Sequence, residues 1–217
     1  MMMAHPIFSS LPFRRLRFAA DQRGTSAVEF ALLLPLMLTM YFGTIEITDA
    51  ISADRQVTLV ASTVAELTSQ APQSPPLSLA DVQNILGNPS LSPPGGAAAA
   101  VLAPFSTSNV KVTLSSIVID KNSTATVDWS ATLYGTTRSG IVTSSIPQAL
   151  LVACTSLIWG EATYNYTPMI GTAIWTGVAG TQPMYDQIFL RPRNSSCVQY
   201  NGSLCPATLT NCVPNNG

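Results

Sequence analysis

The sequence predicts an α+β chain: a long N-terminal helix, membrane-embedded in its first half, packed in its second half on a small antiparallel sheet. Three features carry this expectation. Residues 30–45 form an uncharged apolar run bounded by Glu29 and Glu46. Apolar residues at three- and four-residue spacing continue beyond it as far as Pro72. Residues 109–134 then alternate apolar and polar side chains with the period of two that belongs to strands.

Composition narrows the function classes. Only 10% of the 217 residues are charged and 47% are hydrophobic, with a mean hydropathy of +0.29, which argues against a disordered chain. Ten basic residues against eleven acidic ones give no excess for binding nucleic acid. The single histidine, His5, argues against a histidine-based triad or a histidine-rich metal site.

Four of the eight arginines, Arg14, Arg15, Arg17 and Arg23, precede the apolar run. Between Arg23 and Glu46 lie 22 residues whose one charge is Glu29. At about 1.5 Å per residue they make roughly 33 Å of helix, enough to cross a hydrocarbon core of about 30 Å. The arginines hold their side in the cytoplasm and send the chain after Glu46 to the other face. A secretory signal peptide would need a small-residue cleavage site after the run, and Thr48-Asp49-Ala50 is a poor one. A plain signal anchor fits the hydropathy but leaves Glu29 unexplained.

The local order explains Glu29. Arg23-Gly24-Thr25-Ser26-Ala27-Val28-Glu29-Phe30, followed by the apolar run, resembles the processing site of type IV prepilins. The resemblance implies that a prepilin peptidase cuts after Gly24, leaving Thr25 as the new N-terminus and the helix as the anchor. An α-amine with a pKa of about 7.7–8 is mostly cationic at neutral pH. That of one subunit could neutralise Glu29 of its neighbour, whereas an unpaired carboxylate inside lipid is costly. In the plainer reading, Glu29 snorkels to the headgroup zone.

More of the sequence extends the match. Ala27, Val28, Glu29, Phe30 and Ala31, with Pro35 inside the span and Gly43-x-x-Glu46 at its end, resemble TadE-like minor pilins of the tight-adherence (Tad, Flp pilus) system. Glu161-Ala-Thr-Tyr164-Asn-Tyr166-Thr-Pro168 and Arg191-Pro192-Arg193 are similar to segments of that family further along, taken as surface motifs. The resulting division is a basic leader (1–24), an anchor (25–46), a periplasmic helix continuation (47–71), a Pro/Gly/Ala-rich linker (72–107), a β-rich domain (108–193) and a Cys/Asn/Pro-rich tail (194–217).

Beyond Glu46 the expected stripe takes in Ile47, Ala50, Ile51, Asp54, Val57, Thr58, Ala61, Val64, Ala65 and Thr68, widened by Leu59, Val60 and Leu67, with Pro72 as the stop. Pro35 removes one backbone hydrogen bond and introduces a bend, which either is benign or sets how the anchor nests among pilins. Within the linker, Ser78 with Asp81 three residues on marks a short helix that Gly87 ends. The rest of the linker reads as extended. Ala125, Val127, Trp129, Ala131 and Leu133 alternate with polar residues, so one face of that strand is buried. Residues 120–123 turn it back on a preceding strand, with Asp120 and Asp128 solvated beside the turn. Further strands are expected over 155–166, with Tyr164 and Tyr166 on one face, and over 187–190. The tyrosines serve either as packing or as a contact surface for another pilus subunit, and Arg191 and Arg193 as a grip on a partner's carboxylate.

Cys154, Cys197, Cys205 and Cys212 would face an oxidising compartment, so disulfides are the default. Three pairings are open, and the favoured one joins two cysteines within the tail and one tail cysteine to Cys154. Zinc is disfavoured by the spacing, and no metal or cofactor is expected. No nucleophile elbow or phosphate-binding loop occurs, so no enzymatic activity is expected. The resemblance implies an inner-membrane minor pilin (pseudopilin) acting in Flp-type pilus assembly for surface adherence. Its partners would be the prepilin peptidase, other minor and major pilins, the Tad assembly machinery and the lipid bilayer. The alternative is an uncleaved single-pass protein carrying a periplasmic binding module.

Overall fold

A computed structural model describes residues 24–168, 180–202, 204–206, 209 and 212. The chain divides into two compact units, Met1–Ile45 and Glu46–Gly217. Helix α1, Thr25–Ser69, has residues in both. The expected leader, residues 1–23, lies outside the described residues.

In the first unit every residue of 24–41 is exposed, including Val28, Phe30, Leu32 and Met40. By length and composition α1 is long and apolar enough to cross a membrane. It is continuous through Pro35. The hydroxyls of Thr39 and Thr44 donate to the carbonyls of Pro35 and Met40 at 2.7 and 2.8 Å, so these polar groups find partners on their own helix.

In the second unit the rest of α1 packs on one face of a four-stranded antiparallel sheet. Its strands are β1 (Val110–Ile119), β2 (Ala125–Leu133), β3 (Thr155–Tyr166) and β4 (Gln182–Leu190), in the order β2-β1-β3-β4. The fold is α+β, as expected. The buried side of α1 is made of Ala53, Val57, Val60, Ala61, Val64, Ala65 and Thr68, whereas Ile47, Ile51, Asp54, Thr58, Leu59 and Leu67 of the expected stripe are exposed. This corrects the sequence stripe, and the reason is steric. A Cβ added to Gly160, at the middle of β3, would lie 2.6 Å from the Ala61 carbonyl oxygen and 3.0 Å from the Ala65 methyl. Helix and sheet approach so closely that small side chains, not the bulkiest ones, select the buried face.

Residues 72–107 are not the extended linker of the sequence reading. Helix α2 (Leu79–Leu86) has the expected capping box: Asp81 N–H donates to Ser78 Oγ, and Ser78 N–H to Asp81 Oδ2. A second helix, α3 (Gly96–Leu102), was not expected from its alanine run. Val82, Ile85, Leu86, Ala98 and Leu102 join the core shared by α1 and the sheet. The two helices meet where a Cβ on Gly96 (φ +78°) would lie 2.6 Å from the Gly87 nitrogen, a crossing that only glycine allows.

The β1–β2 hairpin forms as expected but carries a bulge. Ser116 pairs with Trp129 and Ile117 with Val127, which leaves Asp128 as the extra residue. The bulge switches faces within one alternating run. Trp129, Ala131 and Leu133 enter the α1-side core, while Ala125 and Val127 turn to a second core with Ile117, Ile119, Leu157 and Trp159. Period-two alternation shows no trace of such an insertion. Asp128 is not simply solvated: its Oδ2 is buried with no partner among the described residues, and burial raises its pKa.

The second core is closed by Val142, Ile146, Leu150 and Leu151 from the connection between β2 and β3. The disulfides are Cys197–Cys205, within the tail, and Cys154–Cys212, as favoured from the sequence. Trp129 Nε1 donates to the Val198 carbonyl at 2.7 Å, and Leu77 forms a parallel bridge with Tyr200, so the tail is tied to the sheet and to the 72–107 segment.

The close approach at Gly160 yields a prediction. Gly160→Val forces the helix off the sheet and is expected to cost about 1–3 kcal/mol. For a chain of this size that lowers the melting temperature by several degrees, at ~2–4 °C per kcal/mol. Thermal unfolding of the detergent-solubilised chain measures it, with Gly180→Ala, at an exposed glycine outside the left-handed region, as the control.

Candidate functional site

The expected processing point is open. Gly24 and Thr25 are exposed at the start of α1. A Cβ on Gly24 would meet nothing within 4 Å, and its φ lies outside the left-handed range. Among the described residues, neither packing nor backbone conformation requires glycine there. Glu29 is exposed just over one turn into α1, beside exposed Ala27, Val28, Phe30 and Ala31. Gly43 resembles Gly24 in that a Cβ on it also meets open space.

The end of the anchor motif is tied to a second motif. The Tyr166 hydroxyl donates to Glu46 Oε2 at 3.4 Å, joining two motif residues 120 positions apart. Burial, reinforced by the charges of Glu46 and Asp49, pushes the Tyr166 hydroxyl up to about 12. Tyr164 shares that face, its ring centroid 6.0 Å from that of Phe105, and burial raises its hydroxyl too. Tyr164 and Tyr166 are 5% and 7% exposed and Glu161 is 5% exposed, so none of the three belongs to a surface motif. The reason is that β3 is an inner strand whose tyrosines face the α1-side core, while Arg138 and Tyr185 bond Glu161 on the other face. Pro168 is half-buried just beyond it.

Arg191 is exposed and Pro192 half-buried. Arg193 is engaged within its own chain. Its backbone N–H donates to the Ser69 carbonyl at 2.8 Å, and its guanidinium lies 3.6 Å from Glu66 Oε1. Asn194 Nδ2 donates to the Gln70 carbonyl at 2.7 Å. Arg193 and Asn194 thus satisfy carbonyls that the end of α1 leaves without helical partners, and the cation suits the helix dipole. The grip expected on another protein's carboxylate is, for Arg193, a helix cap.

Glu161 faces the other side of the sheet and organises a cluster that sequence reasoning missed. Arg138 Nε and Nη2 donate to the two carboxylate oxygens of Glu161. The guanidinium carbon lies 4.0 Å above the Trp159 ring centroid. The Tyr185 hydroxyl is 2.9 Å from both Glu161 Oε1 and Gln187 Oε1, and Trp159 Nε1 donates to Gln187 Oε1 at 3.1 Å. Burial pushes the Tyr185 hydroxyl up to about 12, with Glu161 adding to it. One signal pointed here. Glu161 is the one charged residue of β3, and Arg138 is the sole cation between Lys121 and Arg191.

These tyrosines carry a pH prediction. In both, the folded chain favours the protonated phenol, whose unfolded pKa is about 10. Their stabilisation is therefore complete below pH ~10 and is lost as pH rises toward 12. Ultraviolet difference titration is expected to show Tyr166 and Tyr185 among the last of the six tyrosines to ionise, each late step disappearing in the corresponding phenylalanine variant.

Comparison with known proteins bears on the first of these regions. Residues 24–66, from Gly24 through most of α1, match the family model described as TadE-like protein. No curated protein and no solved structure matches the chain. The matched segment contains Gly24, Glu29, Pro35, Gly43 and Glu46, the residues that carried the resemblance in the sequence. Residues 24–66 are thus a TadE-like domain, the part of the chain that the family model matches.

Proposed function

We propose that this chain is a minor pilin, or pseudopilin, that acts in assembling a Flp-type pilus for surface adherence, and that prepilin peptidase matures it by cutting after Gly24. The observation that carries the reading is a glycine with no structural task. Gly24 is exposed, unstrained and free of steric demand, directly before an apolar helix. A protease subsite that admits only a hydrogen at this position accounts for it.

Cleavage would free the amine of Thr25 just over one turn from Glu29 on the same helix. In a single chain the two lie side by side near the helix start. Between two axially staggered anchors, the amine of one subunit would meet the carboxylate of the next, and a wrong stagger would strand a charge in lipid. The remaining anchor residues offer apolar side chains to lipid or to the anchors of other minor and major pilins. Gly43, open to its surroundings, would let a neighbouring helix come close.

The arginine cluster at residues 14–23 supports an inner-membrane orientation with the N-terminus in the cytoplasm. Two disulfides support a periplasmic second unit, because such bonds persist in oxidising compartments. In this reading the chain is a substrate of the peptidase and a structural partner of the Tad machinery, without catalytic activity of its own.

Mass spectrometry of the mature N-terminus tests the proposal. The expected wild-type terminus is Thr25, and an intact leader would favour an uncleaved membrane protein with a periplasmic binding module. Gly24→Leu is expected to insert and fold normally yet keep its leader; normal processing of that variant would defeat the prepilin reading. Glu29→Ala is expected to be cut but to abolish piliation, scored by shearing pili from cells. Undiminished pili would remove the charge-pairing step.

A further inference from the structure

The second face of the sheet changes character along its length. At one end Ile117, Leu157 and Trp159 lie beneath the β2–β3 connection. At the other end the rows across the sheet are polar. Strand register aligns Lys111 with Thr163 and Thr163 with Tyr185, and, one row on, Thr113 with Glu161. These side chains form the floor of a cleft of about 490 Å³. Residues 135–139 form one wall, bringing Thr136, Thr137, Arg138 and Ser139 to it.

Three properties of the cleft narrow what it can hold. Hydroxyls from the floor, the wall and Tyr185 line it, and each both donates and accepts, as the hydroxyls of a polyol do. Lys111 and Arg138 outweigh Glu161 by one positive charge, the other lining residues being uncharged. Tyr185 supplies a platform. Its hydroxyl reaches diagonally from β4 to Glu161 on β3, so the ring lies along the sheet, pinned by that bond and by Gln187, and the residue remains 51% exposed. The floor is also fixed in advance, because Glu161 is held by Arg138 and Arg138 rests on Trp159. Little side-chain freedom is left to lose on binding.

The geometry points to a binding site for an acidic saccharide. One sugar face stacks on Tyr185, its hydroxyls exchange hydrogen bonds with the threonine and serine hydroxyls, and its carboxylate meets Lys111. An acidic peptide would match the charge but would leave most of the hydroxyl wall without reciprocal partners. The site is separate from the TadE-like segment, so it stands or falls independently of pilin maturation.

Titration calorimetry of the full chain in detergent micelles tests this, with oligogalacturonate as the probe and maltooligosaccharide and hexaglutamate as comparators. Oligogalacturonate is expected to bind. Lys111→Ala and Tyr185→Ala are each expected to weaken it by at least ~10-fold, about 1.4 kcal/mol, with the circular dichroism spectrum unchanged. Lys111 is exposed and makes no part of either core, so its variant keeps the test valid if Tyr185→Ala proves unstable. Absence of oligogalacturonate binding would overturn the proposal. So would equal binding of hexaglutamate or of the neutral maltooligosaccharide, or affinity indifferent to Lys111→Ala.

Discussion

The second unit depends on one short distance: the approach of α1 to β3 at Gly160. Where a Cβ would sit 2.6 Å from the Ala61 carbonyl there is room only for hydrogen. Small residues on the helix, Ala53, Ala61 and Ala65, share that constraint. The valines between them, Val57, Val60 and Val64, then reach past the alanines to fill the core with Val112, Leu114, Ile158 and Ala162. Packing of this kind is unforgiving, because a methyl group more or less is felt directly in a close-packed interior. It also fixes the rest: with α1 on one side of β3, every odd-numbered side chain of that strand must find cover or a partner on the other side.

Both solutions occur along the same strand. Leu157 and Trp159 are covered by the β2–β3 connection and its short turns. Glu161 is not covered by apolar residues and takes Arg138 and Tyr185 instead. A buried ion pair is seldom the most stable filling for such a place. Apolar residues would have closed the second face along its whole length, whereas the charged cluster keeps a preformed polar surface open at one end. The bulge at Asp128 works with this arrangement. It directs Ala125 and Val127 to the covered end while Trp129 returns to the α1 side and bonds the tail.

Much of this was legible in the sequence, and what was not has a common cause. The 45-residue helix, the hairpin, the extent of β3 and the two disulfides follow from local signals: an uncharged run, a period of two, a capping box, the clustering of three cysteines in a tail. The misreadings all involve contacts between distant segments. Ile47 and Ile51 looked more buried than Ala53 because hydropathy ranks side chains by size, whereas the sheet selects by distance. The 72–107 segment looked like a linker because proline and glycine were read as loop, although they permit the crossing of α2 and α3. Arg138 drew no reading and Arg193 was expected to grip a partner's carboxylate, because their acids, Glu161 and Glu66, lie 23 and 127 positions away.

The glycines separate what the fold needs from what lies outside it. Gly160, Gly87 and Gly96 cannot be replaced without moving backbone, so their presence is explained inside the molecule. A Cβ on Gly24 or Gly43 would meet nothing within 4 Å, and nothing among the described residues asks for glycine at either place. Glycine in a helix costs about 1 kcal/mol relative to alanine, so at Gly43 an unneeded one is a standing penalty. A penalty the fold does not impose is accounted for by something that approaches from outside. Under the proposed function, Gly24 would suit the narrow subsite of a protease and Gly43 the close approach of a neighbouring helix. The same logic applies to Glu29, exposed and charged beside an apolar run. Under the proposed function its carboxylate would acquire a role when a second anchor is placed against the first.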